Sequence, residues 1–346
     1  ALVAVAPEEL RAQAERKRRE LDAADVPQRP RWKIDRICVG HQGRATSVSF
    51  DPSNEWFATG SADASVKAWN LVSGKCMATL TGHKAAVESV AVSHTSPYLF
   101  SAGQDKIAKC WDLETNSVVR DYFGHLSTIH SIATHPVQDL LVTGGRDATV
   151  RVWDVRTRRE VHVMQGHTES VFAVATQASS PQVISGGADG FIYFWDLASG
   201  RPITRLTRHK KPVRAFAVHP TENTMVSVGA DNVRKWRLPT GEFMGNLVPE
   251  TGHKNDGARW TCAAVSPRDV LVVGADGDGG AVDFFDWPSS RLFRAGKTKS
   301  VPGTLPGEAG VLGAAFDQSG TRLITAEGDK TVKFWSEVDE PAVATK

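Results

Sequence analysis

The sequence has 346 residues, of which 41% are hydrophobic, with 10 Trp, 3 Tyr and a formal net charge of +2. This length allows a large core, and the near-neutral charge excludes a bulk electrostatic attraction to nucleic acid or membranes. No apolar run reaches about 18 residues, so no membrane-spanning helix is expected. The four cysteines lack metal-ligand spacing and indicate buried thiols in a reducing compartment: Cys38, Cys76, Cys110 and Cys262.

Residues 1–31 differ in composition from the rest of the chain. The segment 8–21 combines strong helix formers with alternating charge, and Pro27 and Pro30 follow it. We expect a short N-terminal helical arm that is either solvated or docked on a partner. The absence of an initiating Met indicates that the natural chain starts earlier.

From Arg36 onward the chain repeats. Its repeat-start histidines are 42 residues apart: His41, His83, His125, His167 and His209. An aromatic residue on a strand-like pattern follows in each of seven units: Trp69, Trp111, Trp153, Trp195, Trp236, Phe285 and Trp335. The alternation around these residues has the period of strands, and the unit length is that of propeller blades.

Two further polar positions recur in register with the His and the Trp. An Asp stands six residues before most of the Trp residues, and a Ser or Thr stands four residues before each Asp. This set resembles the WD40 repeat and covers residues 33–336. The resemblance implies an all-β, seven-bladed β-propeller in which the four side chains form a hydrogen-bonded tetrad inside a blade. The expected tetrad members are His41, Thr59, Asp63, Trp69, His83, Ser101, Asp105, Trp111, His125, Thr143, Asp147, Trp153, His167, Ser185, Asp189, Trp195, His209, Ser227, Asp231 and Trp236.

Such a tetrad fits the chemistry of its members. The carboxylate accepts from the imidazole and from turn amides, the imidazole reaches the hydroxyl, and the hydroxyl reaches the indole N–H. Each of these groups would otherwise be buried without a partner, at a cost of about 1–3 kcal/mol.

The ends of the repeat predict how the ring closes. The last unit stops after its third strand at Trp335, whereas the strand-like segment 33–39 precedes the first unit. We expect 33–39 to supply the outer strand of blade seven, which leaves no open sheet edge. The predicted organisation is therefore an arm at 1–31, a propeller at 32–336 and a C-terminal tail at 337–346.

Blades six and seven depart from the repeat. In blade six, Val272 and Val273 occupy the Ser/Thr region and Phe285 replaces Trp, while blade seven has no repeat-start His. Either the neighbouring blades hold these two in place, or a partner has shaped their larger loops.

No motif for catalysis or metal binding emerges from the eleven His. Six of them, the five above and His253, start repeats, and His135 and His219 are expected in surface turns. There is no metal-ligand spacing, nucleophile elbow or Walker loop. We expect no enzymatic activity, catalytic residue, cofactor, bound metal or small-molecule substrate.

One end of the propeller carries a mixed set of side chains. In WD40 proteins this face, the top, commonly binds partners. The predicted partner-binding top rim consists of Arg44, Glu88, Gln104, His130, Arg146, Phe172, Lys210, Lys211 and Arg214. A Phe, a Gln and several cations indicate a surface for acidic peptide or phosphate, and the alternative is an ordinary solvated rim.

Several less generic stretches narrow the resemblance. They include 96–101, 104–114, 122–127, 209–215 and 315–331. Together, and in this order, they resemble the pleiotropic regulator family of spliceosomal WD40 subunits. This implies a nuclear, non-catalytic scaffold of the NineTeen complex in pre-mRNA splicing, which holds protein partners around the catalytic RNA core. The implied partners are a Myb-type splicing factor and other complex subunits, with a contact to the snRNA backbone left open and no membrane.

A second hypothesis comes from the segment Trp153, Asp154 and Arg156. It matches the WDxR signature of substrate receptors for cullin-RING ubiquitin ligases. Only one blade carries this four-residue match. Receptor function is therefore the alternative to the spliceosomal role.

Overall fold

The computed structural model describes residues 29–180, 182–230, 232–247, 259–277, 280–304 and 308–338. In these ranges every regular element is a β-strand, and 28 strands form seven four-stranded antiparallel sheets. The first strands of the sheets are β2 (Ala45–Phe50), β6 (Val87–Val92), β10 (Ile129–Thr134), β14 (Val171–Thr176), β18 (Val213–Val218), β22 (Arg259–Val265) and β26 (Val311–Phe316). The second strands are β3 (Trp56–Ser61), β7 (Tyr98–Gly103), β11 (Leu140–Gly145), β15 (Val183–Gly187), β19 (Thr224–Gly229), β23 (Val270–Asp276) and β27 (Arg322–Glu327).

The remaining two strands complete each sheet outward. The third strands are β4 (Ser65–Asn70), β8 (Ala108–Asp112), β12 (Thr149–Asp154), β16 (Ile192–Asp196), β20 (Val233–Arg237), β24 (Ala281–Asp286) and β28 (Thr331–Val338). The outer strands are β5 (Cys76–Thr81), β9 (Ser117–Tyr122), β13 (Glu160–Gln165), β17 (Arg201–Leu206), β21 (Glu242–Leu247), β25 (Leu292–Lys297) and, from the start of the chain, β1 (Arg31–Val39).

The first strands form the inner wall of a closed ring. Each contacts the first strand of the next sheet, from β2 through β6, β10, β14, β18 and β22 to β26, and β26 contacts β2. The seven sheets are therefore the blades of a propeller around a central channel, and the predicted all-β, seven-bladed fold is confirmed.

The core lies between neighbouring blades. Phe57 of blade one, for example, is fully buried with its ring 5.4 Å from Phe334 of blade seven, measured between centroids. The second and third strands are buried on both faces, whereas outer strands such as β13 alternate toward solvent. A blade by itself would expose both apolar faces, so each blade depends on its two neighbours.

The predicted closing strand is confirmed. Strand β1 pairs antiparallel with β28, from Arg31 opposite Val338 to Val39 opposite Thr331. Strand β28 runs to Val338, two residues past the predicted propeller boundary at 336. The domain boundaries themselves stay predictions.

Strand β1 also fastens blade seven to both of its neighbours. On one side, fully buried Trp32 stacks on Phe284 of blade six, with ring centroids 5.8 Å apart. On the other side, the Arg36 guanidinium donates to the Val72 carbonyl oxygen of blade one at 2.9 Å. A single strand thus joins three blades.

Blade six is held by an aromatic side chain two residues past the expected position. Trp287 is 1% exposed, and its indole N–H donates to Glu222 Oε2 of blade five at 2.8 Å. Lys235 Nζ lies 4.4 Å from the Trp287 ring centroid and donates to its carbonyl oxygen at 2.6 Å. The His219 ring packs on the other part of the indole, 4.9 Å away. These contacts favour the interpretation that the neighbouring blade holds blade six in place.

Two expectations about individual side chains are wrong. Cys76 is exposed, because it lies on the solvent side of outer strand β5. His135 and His219 are 2% and 4% exposed and are not surface residues. The Nδ1 atom of each accepts backbone N–H groups of the turn that follows, so both rings are buried turn caps.

Some predictions concern residues outside the described ranges. They are the helical arm apart from Arg29 to Arg31, the tetrad residue Asp231 and the tail from residue 339 onward. Arg29, the first described residue, pairs with buried Asp286 of blade six at 2.6 Å. Among the described residues, no helix is long and apolar enough to cross a membrane.

Replacing Trp32 by Ala should destabilise the whole ring. The substitution removes a fully buried indole at the junction of blades six and seven, and we expect a loss of about 3–5 kcal/mol in the free energy of unfolding. Ile37→Ala on the same strand is the matched control, because Ile37 is 42% exposed. Chemical denaturation measures both variants, and equal losses would contradict the role of β1 as an inter-blade fastener.

Candidate partner-binding site

Blade three shows the geometry of a complete tetrad. His125 Nε2 lies 2.7 Å from Thr143 Oγ1, and the Trp153 indole N–H donates to the same oxygen at 2.9 Å. His125 Nδ1 lies 2.9 Å from Asp147 Oδ2, which also accepts from the Leu126 amide at 3.0 Å. These partners assign the ring proton to Nδ1, so Nε2 accepts from the threonine hydroxyl.

The same arrangement recurs in blades one, two and four. In blade one, Thr59 Oγ1 lies 2.7 Å from His41 Nε2 and 2.8 Å from Trp69 Nε1, and His41 Nδ1 lies 3.3 Å from Asp63. In blade two, Ser101 Oγ lies 2.6 Å from His83 Nε2 and 2.7 Å from Trp111 Nε1, and His83 Nδ1 lies 2.6 Å from Asp105. In blade four, Ser185 Oγ lies 2.8 Å from His167 Nε2 and 2.7 Å from Trp195 Nε1, and His167 Nδ1 lies 3.0 Å from Asp189. In blade five, Ser227 Oγ lies 2.7 Å from His209 Nε2 and accepts from Trp236 at 2.8 Å.

The tetrad carboxylates are held in the ionised form. Burial alone would raise the pKa of Asp147, but hydrogen bonds from His125, Leu126 and Thr149 bring that pKa below its ordinary value. The pKa values of Asp63, Asp105 and Asp189 are lowered by the same kinds of contact. Since the polar atoms of the tetrads bond to one another inside the blades, the repeated residues act as internal fasteners.

Blade seven replaces the missing imidazole with two other side chains. In blades three and four a glycine stands beside the ring, and a Cβ on Gly145 would lie 2.6 Å from His125 Nδ1. Glu327 takes that position in blade seven and accepts from Thr325 Oγ1 at 3.2 Å, while Thr325 accepts from the Trp335 indole at 3.1 Å.

The carboxylate of Glu327 is neutralised from the third strand. Lys333 Nζ forms a buried ion pair with Glu327 and lies 3.1 Å from Asp329 Oδ2, with all three side chains fully buried. Burial raises the pKa of Glu327 to about 7, against the opposing effect of the Lys333 ammonium. Neither Glu327 nor Lys333 is predicted from the sequence, although a Glu at the glycine position of a unit without His is a visible signal.

A β-bulge at the start of every first strand turns one side chain into the channel. The register against the second strand shifts once in each of the seven blades, which leaves one unpaired residue per blade. These residues are Thr46, Glu88, His130, Phe172, Arg214, Thr261 and Leu312, and together they line a cavity of about 240 Å³. We call this set the channel mouth.

The structure brings four of the predicted rim residues together in the channel mouth: Glu88, His130, Phe172 and Arg214. Arg44 does not line it and is exposed in the loop before β2. The equivalent residue in blade one is Thr46, five residues after the repeat-start His as in blades two to five, and Arg44 is only three residues after it. Thr261 and Leu312 could not be found from the sequence in this way, because blades six and seven break the repeat and neither residue stands five positions after a repeat-start His.

Two other predicted rim residues, Gln104 and Arg146, interact with side chains of the mouth. Gln104 donates to Glu88 Oε1 at 2.8 Å, so the one carboxylate of the mouth is engaged. His130 packs on Phe172 with ring centroids 5.0 Å apart, and burial lowers the pKa of His130, with Glu88 opposing and Arg146 reinforcing this shift. Arg146, Lys210 and Lys211 are exposed.

The WDxR segment lies at the opposite end of the strands. Trp153 is buried in its tetrad, and Asp154 accepts from the Arg156 and Thr157 amides in the turn after β12. The Arg156 side chain is 77% exposed, with its Nε atom 3.9 Å from Asp139 Oδ2. Two of the three motif residues are therefore occupied within the blade.

Within the described part of the chain, no cluster of three or more His, Cys, Asp or Glu could hold a metal ion.

The comparisons with known proteins agree with this architecture. The family described as "WD domain, G-beta repeat" matches residues 32–70, 74–112 and 299–336, and "Nucleolar protein 10-like, N-terminal domain" matches residues 121–261. The "Protein pleiotropic regulator PRL2" of Arabidopsis thaliana is 48% identical over 32% of this chain and 22% of its own length. "Pleiotropic regulator 1" of Homo sapiens is 46% identical over 31% of this chain and 20% of its own length.

A third relative is the "Pre-mRNA-splicing factor PRP46" of Candida glabrata, 41% identical over 32% of this chain and 24% of its own length. The matches thus span less than a quarter of each relative. The chain thus contains WD40 repeats at these positions within a seven-bladed propeller. Over about a third of its length it is similar to proteins named pleiotropic regulators and pre-mRNA-splicing factors.

Replacing Asp147 by Ala should cost about 2–3 kcal/mol of unfolding free energy, because His125 Nδ1 and the Leu126 amide lose their acceptor. The control is Asp276→Ala, since within the described residues Asp276 makes no side-chain hydrogen bond, and we expect a cost below about 1 kcal/mol. Urea denaturation of both variants measures the difference, and similar costs would refute the fastener role.

The pH dependence gives a second readout of Asp147. Its folded-state pKa lies below the unfolded value of about 3.9, so its stabilisation is present above that pH and is lost as the pH falls toward the folded-state pKa. The difference in stability between the unaltered chain and Asp147→Asn should therefore shrink below about pH 4. A constant difference would contradict this assignment.

Lys333→Met should be among the most damaging single substitutions. It leaves Glu327 and Asp329 buried beside each other without a cation, at a cost of about 3–5 kcal/mol. Lys67→Met is the matched control, because Lys67 holds the equivalent position in blade one and donates only to Thr79 Oγ1 near the surface. Thermal denaturation of the two variants compares them, and equal melting shifts would contradict the proposed replacement of the imidazole.

Proposed function

We propose that this protein is a non-catalytic scaffold subunit of the spliceosome that acts in pre-mRNA splicing in the nucleus. The observation that carries the proposal is the identity of 40–48% to relatives named as pleiotropic regulators or pre-mRNA-splicing factors. A rigid ring of seven blades offers two faces and a circumference to partners. That geometry suits a subunit that holds several proteins at once.

The organisation of the polar residues supports a non-catalytic role. The repeated imidazoles, hydroxyls and carboxylates are hydrogen-bonded to one another inside the blades. The channel mouth combines seven side chains of six residue types, a pattern that suits recognition better than proton transfer or nucleophilic attack.

We further propose that the complex is the NineTeen complex and that the partners include a Myb-type splicing factor. A contact with the snRNA backbone is part of the same hypothesis, since exposed cations such as Arg146 and Lys211 surround the mouth. Reception of substrates for a ubiquitin ligase is not favoured, because the named relatives point to splicing and Trp153 and Asp154 are engaged within their blade.

Affinity purification of the tagged full chain from nuclear extract tests the proposal. We expect mass spectrometry to find a Myb-type splicing factor and other splicing proteins, and RNA sequencing to find spliceosomal snRNA. The control is an unrelated seven-bladed propeller with the same tag. Recovery of no splicing protein above this control, in gentle salt, would overturn the proposed function.

A further inference from the structure

The channel mouth contains two charged side chains on opposite walls, in blades two and five. Glu88, in blade two, accepts a hydrogen bond from Gln104. Arg214, in blade five, has its Nε atom buried without any hydrogen-bond partner. Within the described residues, no carboxylate pairs with this guanidinium. The anion of the mouth is thus engaged, and the cation is available.

An unsatisfied buried donor on a charged side chain needs an explanation, because nearly all such groups in native proteins are paired. Arg151 also has a buried Nε without a partner, but its guanidinium is paired with Glu160 at 2.8 Å. Two further arginines have acceptors from neighbouring elements. Arg120 donates to the Val155 carbonyl oxygen at 2.6 Å, and Arg36 donates to the Val72 carbonyl oxygen at 2.9 Å. Arg214 differs from them because it has no acceptor among the described residues, and it lines a cavity through which one can enter from outside.

The other side chains of the mouth indicate which kind of group would lie next to that acceptor. Phe172 and Leu312 are partly buried and give the cavity apolar walls. The hydroxyl groups of Thr46 and Thr261 already donate to carbonyl oxygens of the neighbouring first strands. The threonines therefore contribute only to the shape of the cavity. The group that still lacks a partner is the Arg214 guanidinium, which needs an anionic acceptor beside the apolar surface of Phe172 and Leu312.

We propose that the channel mouth binds an acidic segment of a partner protein. A carboxylate of the segment pairs with the Arg214 guanidinium, whose planar fork matches the two oxygens, and an adjacent apolar side chain packs on Phe172 and Leu312. This rests on the proposed function, since a scaffold subunit requires a surface of this kind. Lys211, exposed in the loop before β18, adds positive charge along the approach.

A peptide fits these observations better than RNA does. The cavity of about 240 Å³ is smaller than the roughly 300–1,000 Å³ of typical small-molecule sites and fits one or two side chains. One face of Phe172 is already covered by His130, which leaves a poor platform for stacked bases. Inside the mouth, a single cation opposite a carboxylate is also a poor track for a phosphate backbone, so any backbone contact would fall to the exposed cations outside the mouth.

Selection of peptides from a phage-displayed random library on the immobilised full chain tests the proposal. We expect enriched peptides in which Asp or Glu stands next to an apolar residue. A labelled synthetic peptide of the enriched sequence should bind Arg214→Gln about tenfold or more weakly, the effect of losing a charge-assisted hydrogen bond. Arg201→Gln on outer strand β17 is the matched control and should bind like the unaltered chain, because Arg201 is exposed away from the mouth.

A second variant shows whether weaker binding of Arg214→Gln could come from misfolding. Leu312→Trp fills the mouth and keeps Arg214, so it should also weaken peptide binding about tenfold or more while its melting temperature shows that the ring is intact. Enrichment of basic peptides, enrichment of none, or binding that is indifferent to both variants would each overturn the proposal. So would tight binding of a labelled uridine oligonucleotide that depends on Arg214 in the absence of any acidic peptide.

The outcomes separate this inference from the proposed function. If the unaltered chain recovers splicing proteins but selects no acidic peptide, only the inference fails. If it selects acidic peptides through Arg214 but recovers no splicing protein, the scaffold role in splicing fails and the chemistry of the mouth stands.

Discussion

The pairing of β1 with β28 is the interaction on which the ring depends. Every blade buries its apolar faces against two neighbours, so an unclosed ring would expose two such faces at once. Closure joins residues 31–39 to residues 331–338, at opposite ends of the described chain. Because Trp32 packs on blade six and Arg36 reaches blade one, the strand also fixes the angle of blade seven between its neighbours.

The polar groups buried at the tetrad positions are accommodated differently in three sets of blades. In blades one to four the complete tetrad satisfies an indole N–H, a hydroxyl, an imidazole and a carboxylate in one chain of hydrogen bonds. Blade seven keeps the indole and the hydroxyl but supplies Glu327 and Lys333 in place of the ring. Blade six has Val273 and Phe285 at the hydroxyl and indole positions, and its Trp287 anchors it to Glu222 of blade five. In blades one to five and in blade seven, the indole N–H and the hydroxyl at these positions are therefore paired within the blade.

This explains which features could be predicted from the sequence. The number of blades, the closing strand and the tetrad residues are signalled by recurrence at a fixed period, and recurrence is visible without coordinates. Trp287 and Lys333 could not be predicted in this way. The role of Trp287 depends on side chains of a neighbouring blade, and that of Lys333 depends on the space left by the absent His. Arg44 lies outside the channel mouth for a different reason: strand register sets the offset from the His to the bulge, and Arg44 stands two residues before the bulged Thr46. Its predicted place on the partner-binding rim stays a prediction.

The chemistry of the channel mouth is free to differ from blade to blade for a physical reason. A bulged residue has no ladder partner, and its side chain points into the channel, so neither strand pairing nor the inter-blade core restricts its type. In blades one to five, by contrast, the tetrad positions hold only Ser or Thr, His, Asp and Trp. Seven side chains of six residue types in otherwise repetitive surroundings suit a surface matched to one asymmetric partner, and an unmet donor on Arg214 identifies the end of that surface where the partner must bring an acceptor.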